Sequence, residues 1–142
     1  MASFRIRGGD AYVVERLDVQ VGKSEIVMNT EWIRRFCMKL PHTTEEVLWG
    51  GDLVFKIGGK MFAVTVLDPG PVCLSFKCTP ARFAELTERP GIIPAPYSAR
   101  YHWVALESED ALSAAEIKRL IGESYELVLA KLPKRTQAAL RS

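Results

Sequence analysis

The residue types best able to do chemistry are concentrated in one short stretch, residues 94–103. This stretch combines two prolines and two tyrosines with one arginine, one histidine and one tryptophan. An exposed arginine can bind a phosphate, and an exposed tyrosine such as Tyr97 can stack on a base or a sugar. Arg100 is the residue of this stretch that is least expected to have a structural role, whereas Trp103 is expected in the core and Tyr101 at a sheet edge. The stretch therefore predicts either a phosphate-binding site or a structural corner.

A glycine-rich hairpin carries a second group of cations. Apolar runs on both sides of residues 58–59, both glycine, predict two antiparallel strands joined by a two-residue turn. Lys56 and Lys60 flank the tip of this hairpin. A β-ribbon with lysines at its tip can lie against a nucleic-acid groove, but lysines on strand edges also prevent aggregation. Neither this glycine pair nor the pair at residues 50–51 has the spacing of a phosphate-binding loop, so both are interpreted as turns.

The cysteines and histidines show no pattern typical of catalysis or metal binding. An odd number of cysteines, Cys37, Cys73 and Cys78, argues against a disulfide framework. The two histidines, His42 and His102, add no recognisable metal-ligand spacing. A nucleophile and base can be drawn from Cys78 and His102, but no third group that would orient the base is evident. We therefore expect no metal, no cofactor and no enzymatic activity.

The composition is that of an ordinary globular domain. Hydrophobic residues make up 48% and charged residues 25% of the 142 residues, and the net charge is only +2. There is no apolar run of membrane-spanning length and no signal-peptide layout, so the expected location is cytoplasmic and no membrane partner is expected. Any nucleic-acid binding must therefore come from charge placement. After Glu126 the chain has no acidic residue and has four basic ones, Lys131, Lys134, Arg135 and Arg141.

Apolar periodicity and turn residues predict an α+β domain in which an antiparallel β-sheet packs against helices. Helices are predicted at residues 30–39, from the Thr79-Pro80 cap onwards, and from the Ser113 capping box to about Leu132. Strands are predicted at residues 53–57, 60–67, 72–77 and 101–106. Residues 42–46 are predicted to be a polar connection. Residues 1–27 are predicted to be an N-terminal extension with strand-forming segments, and residues 28–142 the main domain.

A succession of segments resembles the MmcQ/YjbR family of bacterial proteins. The segments are WGGDLVFK (49–56), GGKMFA (58–63), SFKC (75–78), GIIPAPY (91–97), RYHWV (100–104), ESYELV (123–128) and KLP (131–133). Their order and spacing match the family from about Met28 to Leu140. The resemblance implies a fold similar to frataxin-like proteins, and DNA binding through a proposed double-wing arrangement. Frataxin-like proteins often bind iron through an acidic first helix, but here Glu31 is accompanied by Arg34 and Arg35, so iron delivery is not expected.

Two functional interpretations follow, and they differ in geometry. The first is a surface that binds double-stranded DNA with low sequence specificity, mainly through phosphates; its candidate residues are Lys56, Lys60, Lys77, Arg100, Lys134 and Arg135. The alternative is a module that binds a small ligand or a protein in a pocket near Lys77 and Arg100; its candidate residues are Trp49, Asp52, Tyr97, Tyr101 and His102. Cations that share one face would favour nucleic acid, and a concave pocket would favour the small ligand.

Overall fold

The structure is a computed structural model that describes residues 29–67 and 72–141. The predicted N-terminal extension lies outside these residues. The elements, in chain order, are α1 (Thr30–Lys39), β1 (Thr44–Leu48), β2 (Asp52–Ile57), β3 (Lys60–Val66), β4 (Leu74–Lys77), α2 (Pro80–Leu86), β5 (Ile92–Pro94), a 3-10 turn (Ala99–Tyr101), β6 (Trp103–Leu106), α3 (Ala114–Ala130) and α4 (Lys134–Arg141). None of the described helices is both long and apolar enough to cross a membrane.

The six strands form one antiparallel sheet in the order β1-β2-β3-β4-β6-β5. The predicted α+β class is thus confirmed. The β2–β3 hairpin has the predicted two-glycine turn, and both glycines have positive φ angles, 60° at Gly58 and 83° at Gly59. The register shifts within this hairpin, because Lys56 pairs with Met61 while Phe55 pairs with Ala63. The shift is a β-bulge, which adds twist to the hairpin.

The main core lies between one face of the sheet and the helices. Its largest fully buried side chains include Phe55, Phe62 and Phe76 from three neighbouring strands. The buried hydroxyl of Ser124 on α3 donates to the carbonyl oxygen of Phe62 at 2.6 Å and accepts from the amide nitrogen of Lys77 at 3.0 Å. This single hydroxyl therefore ties α3 to both β3 and β4, next to the bulge.

A smaller apolar cluster lies on the opposite face of the sheet. Side chains alternate between the two faces of a strand. Val104 and Phe76 face the main core, so their neighbours Trp103 and Lys77 face the other way. Trp103 is buried there with Ala95 and Ala105, and Met61 packs against the same cluster. The prediction that Trp103 is a core residue is therefore confirmed, although it belongs to the smaller cluster.

Local signals predicted most elements, but one prediction about segment structure was wrong, and two elements, β5 and α4, were not predicted. Helix α1 covers the predicted residues 30–39, α2 begins at the predicted Thr79 cap, and α3 begins at the complete Ser113 capping box. The predicted polar connection at residues 42–46 is instead mostly strand, because Thr44 and its successors pair with β2 along the sheet edge. The chain after Pro133 forms the additional helix α4, which the sequence analysis did not predict.

Candidate nucleic-acid interface at one end of the sheet

Strand direction brings several predicted cations to one end of the sheet. Lys77 is the last residue of β4 and pairs with Trp103, the first residue of β6. Lys60 is the first residue of β3, which runs antiparallel to β4, so it lies at the same end as Lys77. Arg100 lies in the 3-10 turn immediately before β6. Three residues far apart in the sequence thus come from three adjacent parts of one sheet end.

The C-terminal end of α3 reaches the same place. A β-carbon added at Gly58 would lie only 2.5 Å from Cδ1 of Leu132, so the hairpin turn and the end of α3 are in close contact. Burial lowers the pKa of Lys77, and the nearby positive charge of Lys131 lowers it further. We refer to Lys60, Lys77, Arg100 and Lys131 as the basic end. The first residues of α4, Lys134 and Arg135, follow directly after this contact and are exposed.

Two of these cations lie against an aromatic ring. Lys77 Nζ donates to the carbonyl oxygen of Tyr101 at 2.7 Å and lies 5.9 Å from the centre of its ring. The guanidinium carbon of Arg100 lies 4.9 Å from the same centre. Both distances are typical of cation–π contacts. Tyr101 is 53% exposed and Arg100 is exposed as well, whereas Lys77 is half-buried.

The cations of the basic end contrast with many other cations of the domain. Bonds to carboxylates at 3.4 Å or less are made by Arg34, Arg35, Lys56, Arg82, Arg89 and Arg141. Within residues 29–67 and 72–141, none of the four cations of the basic end makes such an ion pair. Moreover, the segments that form this end, residues 57–62, 76–80, 94–103 and 129–137, contain no aspartate or glutamate. The four cations are therefore not paired with a carboxylate of the described residues, although Glu123 of α3 lies close enough to Cys78 to add to the rise that burial causes in the pKa of its thiol.

Lys56 differs from the other predicted DNA contacts. It lies on β2 near the same end of the sheet, but its Nζ is 2.7 Å from Oε1 of Glu46 on β1. An ion pair of this kind neutralises the charge and would have to open before Lys56 could bind a phosphate. Lys131, in contrast, was not among the predicted contacts. The acid-free run after Glu126 was the sequence signal for it, but only its electrostatic proximity to Lys77 gives it a place in the cluster.

The residues predicted to line a pocket do not come together. Trp49 lies in the turn between β1 and β2, and Asp52 is the first residue of β2. The 94–103 stretch lies at the other end of the sheet. The two ends are about 17 Å apart along the strand direction, because β2 spans five residue steps from Asp52 to Ile57 at about 3.3 Å each. Trp49 is 67% exposed with a φ of 53°, and burial raises the pKa of Asp52. The ring of His102 packs edge-on against Phe83, with ring centres 5.5 Å apart.

The cysteines are held as protonated thiols. Burial raises the pKa of Cys37 and Cys78 to about 12, and that of Cys73 to about 11. The thiolate is the nucleophilic and metal-binding form, so these thiols are poor nucleophiles at neutral pH. The backbone amide of Cys78 donates to the carbonyl of His102 at 2.8 Å, which is a structural contact between their backbones. Among the described residues, no group of three or more His, Cys, Asp or Glu side chains is arranged to hold a metal ion.

Comparisons with known proteins agree with this fold. A family model described as YjbR matches residues 38–127. The uncharacterized protein YbdF of Escherichia coli O157:H7 is 31% identical over 116 residues, which cover 78% of this chain and 93% of that protein. The crystal structure of Deinococcus radiodurans protein DR2400 is similar, with a TM-score of 0.74, 30% identity and coverage of 81% of this chain and 89% of that one.

A second solved structure, of a protein from Pseudomonas syringae, has a TM-score of 0.59 and 25% identity and covers 71% of this chain and 99% of that one. The family match spans more than half of the chain and contains most of the segments in which the resemblance was found in the sequence. That resemblance is confirmed, and the chain belongs to the YjbR family.

Proposed function

We propose that this protein binds DNA with low sequence specificity, through phosphate contacts made by the basic end. The observation that carries the proposal is the charge arrangement. Lys60, Lys77, Arg100 and Lys131 come from four separate segments, share one end of the sheet and have no carboxylate in those segments. Cations that are not paired with carboxylates attract a polyanion, although the net charge of the whole chain is only +2.

The form of the site favours phosphates over base edges. The basic end is built from a hairpin turn, two strand ends and a helix C-terminus. Base edges are usually read by a helix or ribbon that enters the major groove with several side chains aimed at them. Phosphate contacts position a protein on DNA but carry no sequence information. Binding through the basic end should therefore differ little between unrelated sequences. The double-wing arrangement stays a prediction, with the β2–β3 hairpin as the natural first wing.

The alternatives receive less support. A small-ligand pocket required Trp49 and Arg100 to line one concavity, but about 17 Å of strand separates their ends of the sheet. Catalysis through Cys78 would require a thiolate, whereas its pKa is raised to about 12. A binding role without enzymatic activity is therefore part of the proposal.

The test is a fluorescence anisotropy titration of the full chain with several unrelated DNA sequences, duplex and single-stranded, at low and moderate salt. With about three phosphate contacts, the slope of log affinity against log salt should be about −2.7 for duplex DNA, at about 0.9 per contact, and about −2 for single strands, at about 0.7 per contact. The variants Arg100→Ala and Lys131→Ala should each weaken binding equally for all sequences and make this slope shallower by about 1.

The matched control is Arg119→Ala. Arg119 is an exposed residue of α3, about 18 Å along the helix from Lys131 at 1.5 Å per residue. Its loss removes the same charge from the chain but leaves the basic end intact, so binding should change little. The proposal fails if neither duplex nor single-stranded DNA binds at low salt, or if Arg119→Ala is as damaging as Arg100→Ala. A strong preference for one sequence would contradict the phosphate mechanism.

A further inference from the structure

Tyr97 is held in solvent by a backbone that is otherwise well anchored. Its side chain is fully exposed. On one side Ala95 is buried and its amide donates to the carbonyl of Trp103 at 2.9 Å. On the other side the amide of Ser98 donates back to the carbonyl of Ala95 at 3.2 Å, which closes a tight turn. Pro94 and Pro96 further restrict this turn, so Tyr97 projects from a stiff loop.

The fold gains nothing visible from a tyrosine at this position. Tyr97 has a φ of 67°, in the left-handed region, which a residue with a β-carbon adopts only at an energetic cost. Glycine or asparagine would fit that backbone with less strain. No described residue packs on the ring to offset the cost. An aromatic ring that is exposed and strained in this way is better explained by a contact with a ligand than by packing.

A second exposed ring, that of Tyr101, lies four residues away and is in contact with two cations. Tyr101 carries Arg100 and Lys77 within 6 Å of its ring centre. Residues 97 to 101 thus present two exposed tyrosines, and one of them, Tyr101, lies against two cations that have no carboxylate partner among the described residues. Aromatic rings beside cations are the combination by which proteins bind unpaired strands, with bases stacked on the rings and phosphates on the cations.

We propose that the basic end binds single-stranded DNA in preference to duplex, with an unpaired base stacked on Tyr97. This inference rests on the proposed DNA-binding function and specifies its substrate. In a duplex the faces of the bases are already stacked on each other, so the Tyr97 ring would find no partner there. A single strand offers bases and phosphates together, and stacking tolerates any base, which agrees with low sequence specificity.

The experiment compares two labelled probes, a single-stranded 15-mer of mixed sequence and the duplex of the same sequence, in anisotropy titrations of the full chain at low salt. Wild type should bind the single strand more tightly. Tyr97→Ala should weaken single-strand binding by about tenfold, as is usual for the loss of one stacked base, and leave duplex binding unchanged. Tyr97→Phe keeps the ring and should retain the wild-type affinity. Because Tyr97 is fully exposed, both variants should fold, which their thermal melts would check.

The outcomes separate this inference from the function on which it rests. If neither probe binds, the DNA-binding proposal itself is refuted. If the probes bind but the duplex binds as tightly as the single strand, or if Tyr97→Ala has no effect, the single-strand inference alone is overturned and DNA binding through phosphates stands. If Tyr97→Phe is as weak as Tyr97→Ala, the tyrosine hydroxyl rather than stacking makes the contact, and the stacking inference is likewise overturned.

Discussion

The contact between Gly58 and Leu132 joins the hairpin that carries Lys60 to the helix end that carries Lys131, and it can be tested by adding one methyl group. In Gly58→Ala the new β-carbon would meet Cδ1 of Leu132 at 2.5 Å and Cδ2 at 3.3 Å. Leu132 is only 6% exposed, so it has little room to move away. The neighbouring turn residue Gly59 also has a positive φ, but a β-carbon there would meet nothing within 4 Å.

The two glycines therefore form a matched pair. Both alanine variants suffer the left-handed backbone, which costs about 1–2 kcal/mol. Only Gly58→Ala must also displace a packed leucine, and overpacking of this kind typically costs about 1–3 kcal/mol. We expect Gly58→Ala to lower the free energy of unfolding by about 1–3 kcal/mol more than Gly59→Ala does.

The assay is urea denaturation of both variants, alone and in a Leu132→Ala background. Leu132→Ala removes the side chain that the new methyl group would meet, so in that background the two glycine variants should differ by less than about 0.5 kcal/mol. Equal destabilisation by Gly58→Ala and Gly59→Ala in the wild-type background would refute the contact. A difference that persists without the Leu132 side chain would show that backbone strain, and not the helix end, distinguishes the two sites.

Three further predictions concern stability. Arg89 and the Ser113 amide lower the pKa of Glu116 to about 2. Its stabilising effect should therefore be complete above the unfolded pKa of about 4.3 and be lost as the pH falls through 2. Glu116→Gln should cost about 1 kcal/mol at pH 7 and progressively less between about pH 4 and pH 2, measured by denaturation across this range. Ser124→Ala leaves the Phe62 carbonyl and the Lys77 amide without their partner, so it should lower the free energy of unfolding by about 1–3 kcal/mol, measured by denaturation. An unchanged stability would mean that water replaces the hydroxyl. Removal of residues 1–27 should leave a cooperative thermal transition, since the described residues between 33 and 132 already form a continuous main core. A non-cooperative melt would show that the extension is needed.

The candidate site was only partly predictable from its residues. The composition of residues 94–103 identified Arg100 and Tyr97 as unusual, and both lie at the basic end or beside it. The same reasoning grouped Trp49 and Asp52 with them around a pocket, whereas the structure places these two residues at the opposite end of the strands. Lys56 matched the expected hairpin position, but its ion pair with Glu46 depends on the register of β1, and Glu46 belongs to the segment that was predicted to be a polar connection.

The sequence by itself determined the elements whose signals are local. The Gly58-Gly59 turn, the Thr79-Pro80 cap and the Ser113 capping box each depend on residues within a few positions of one another, and each formed as predicted. The tertiary structure alone decided the strand order, the pairing of β1 and the convergence of Lys60, Lys77, Arg100 and Lys131. These features depend on which strands become neighbours and where α3 ends against them. Such contacts join residues tens of positions apart, and their stability comes from burying a common core rather than from any local pattern.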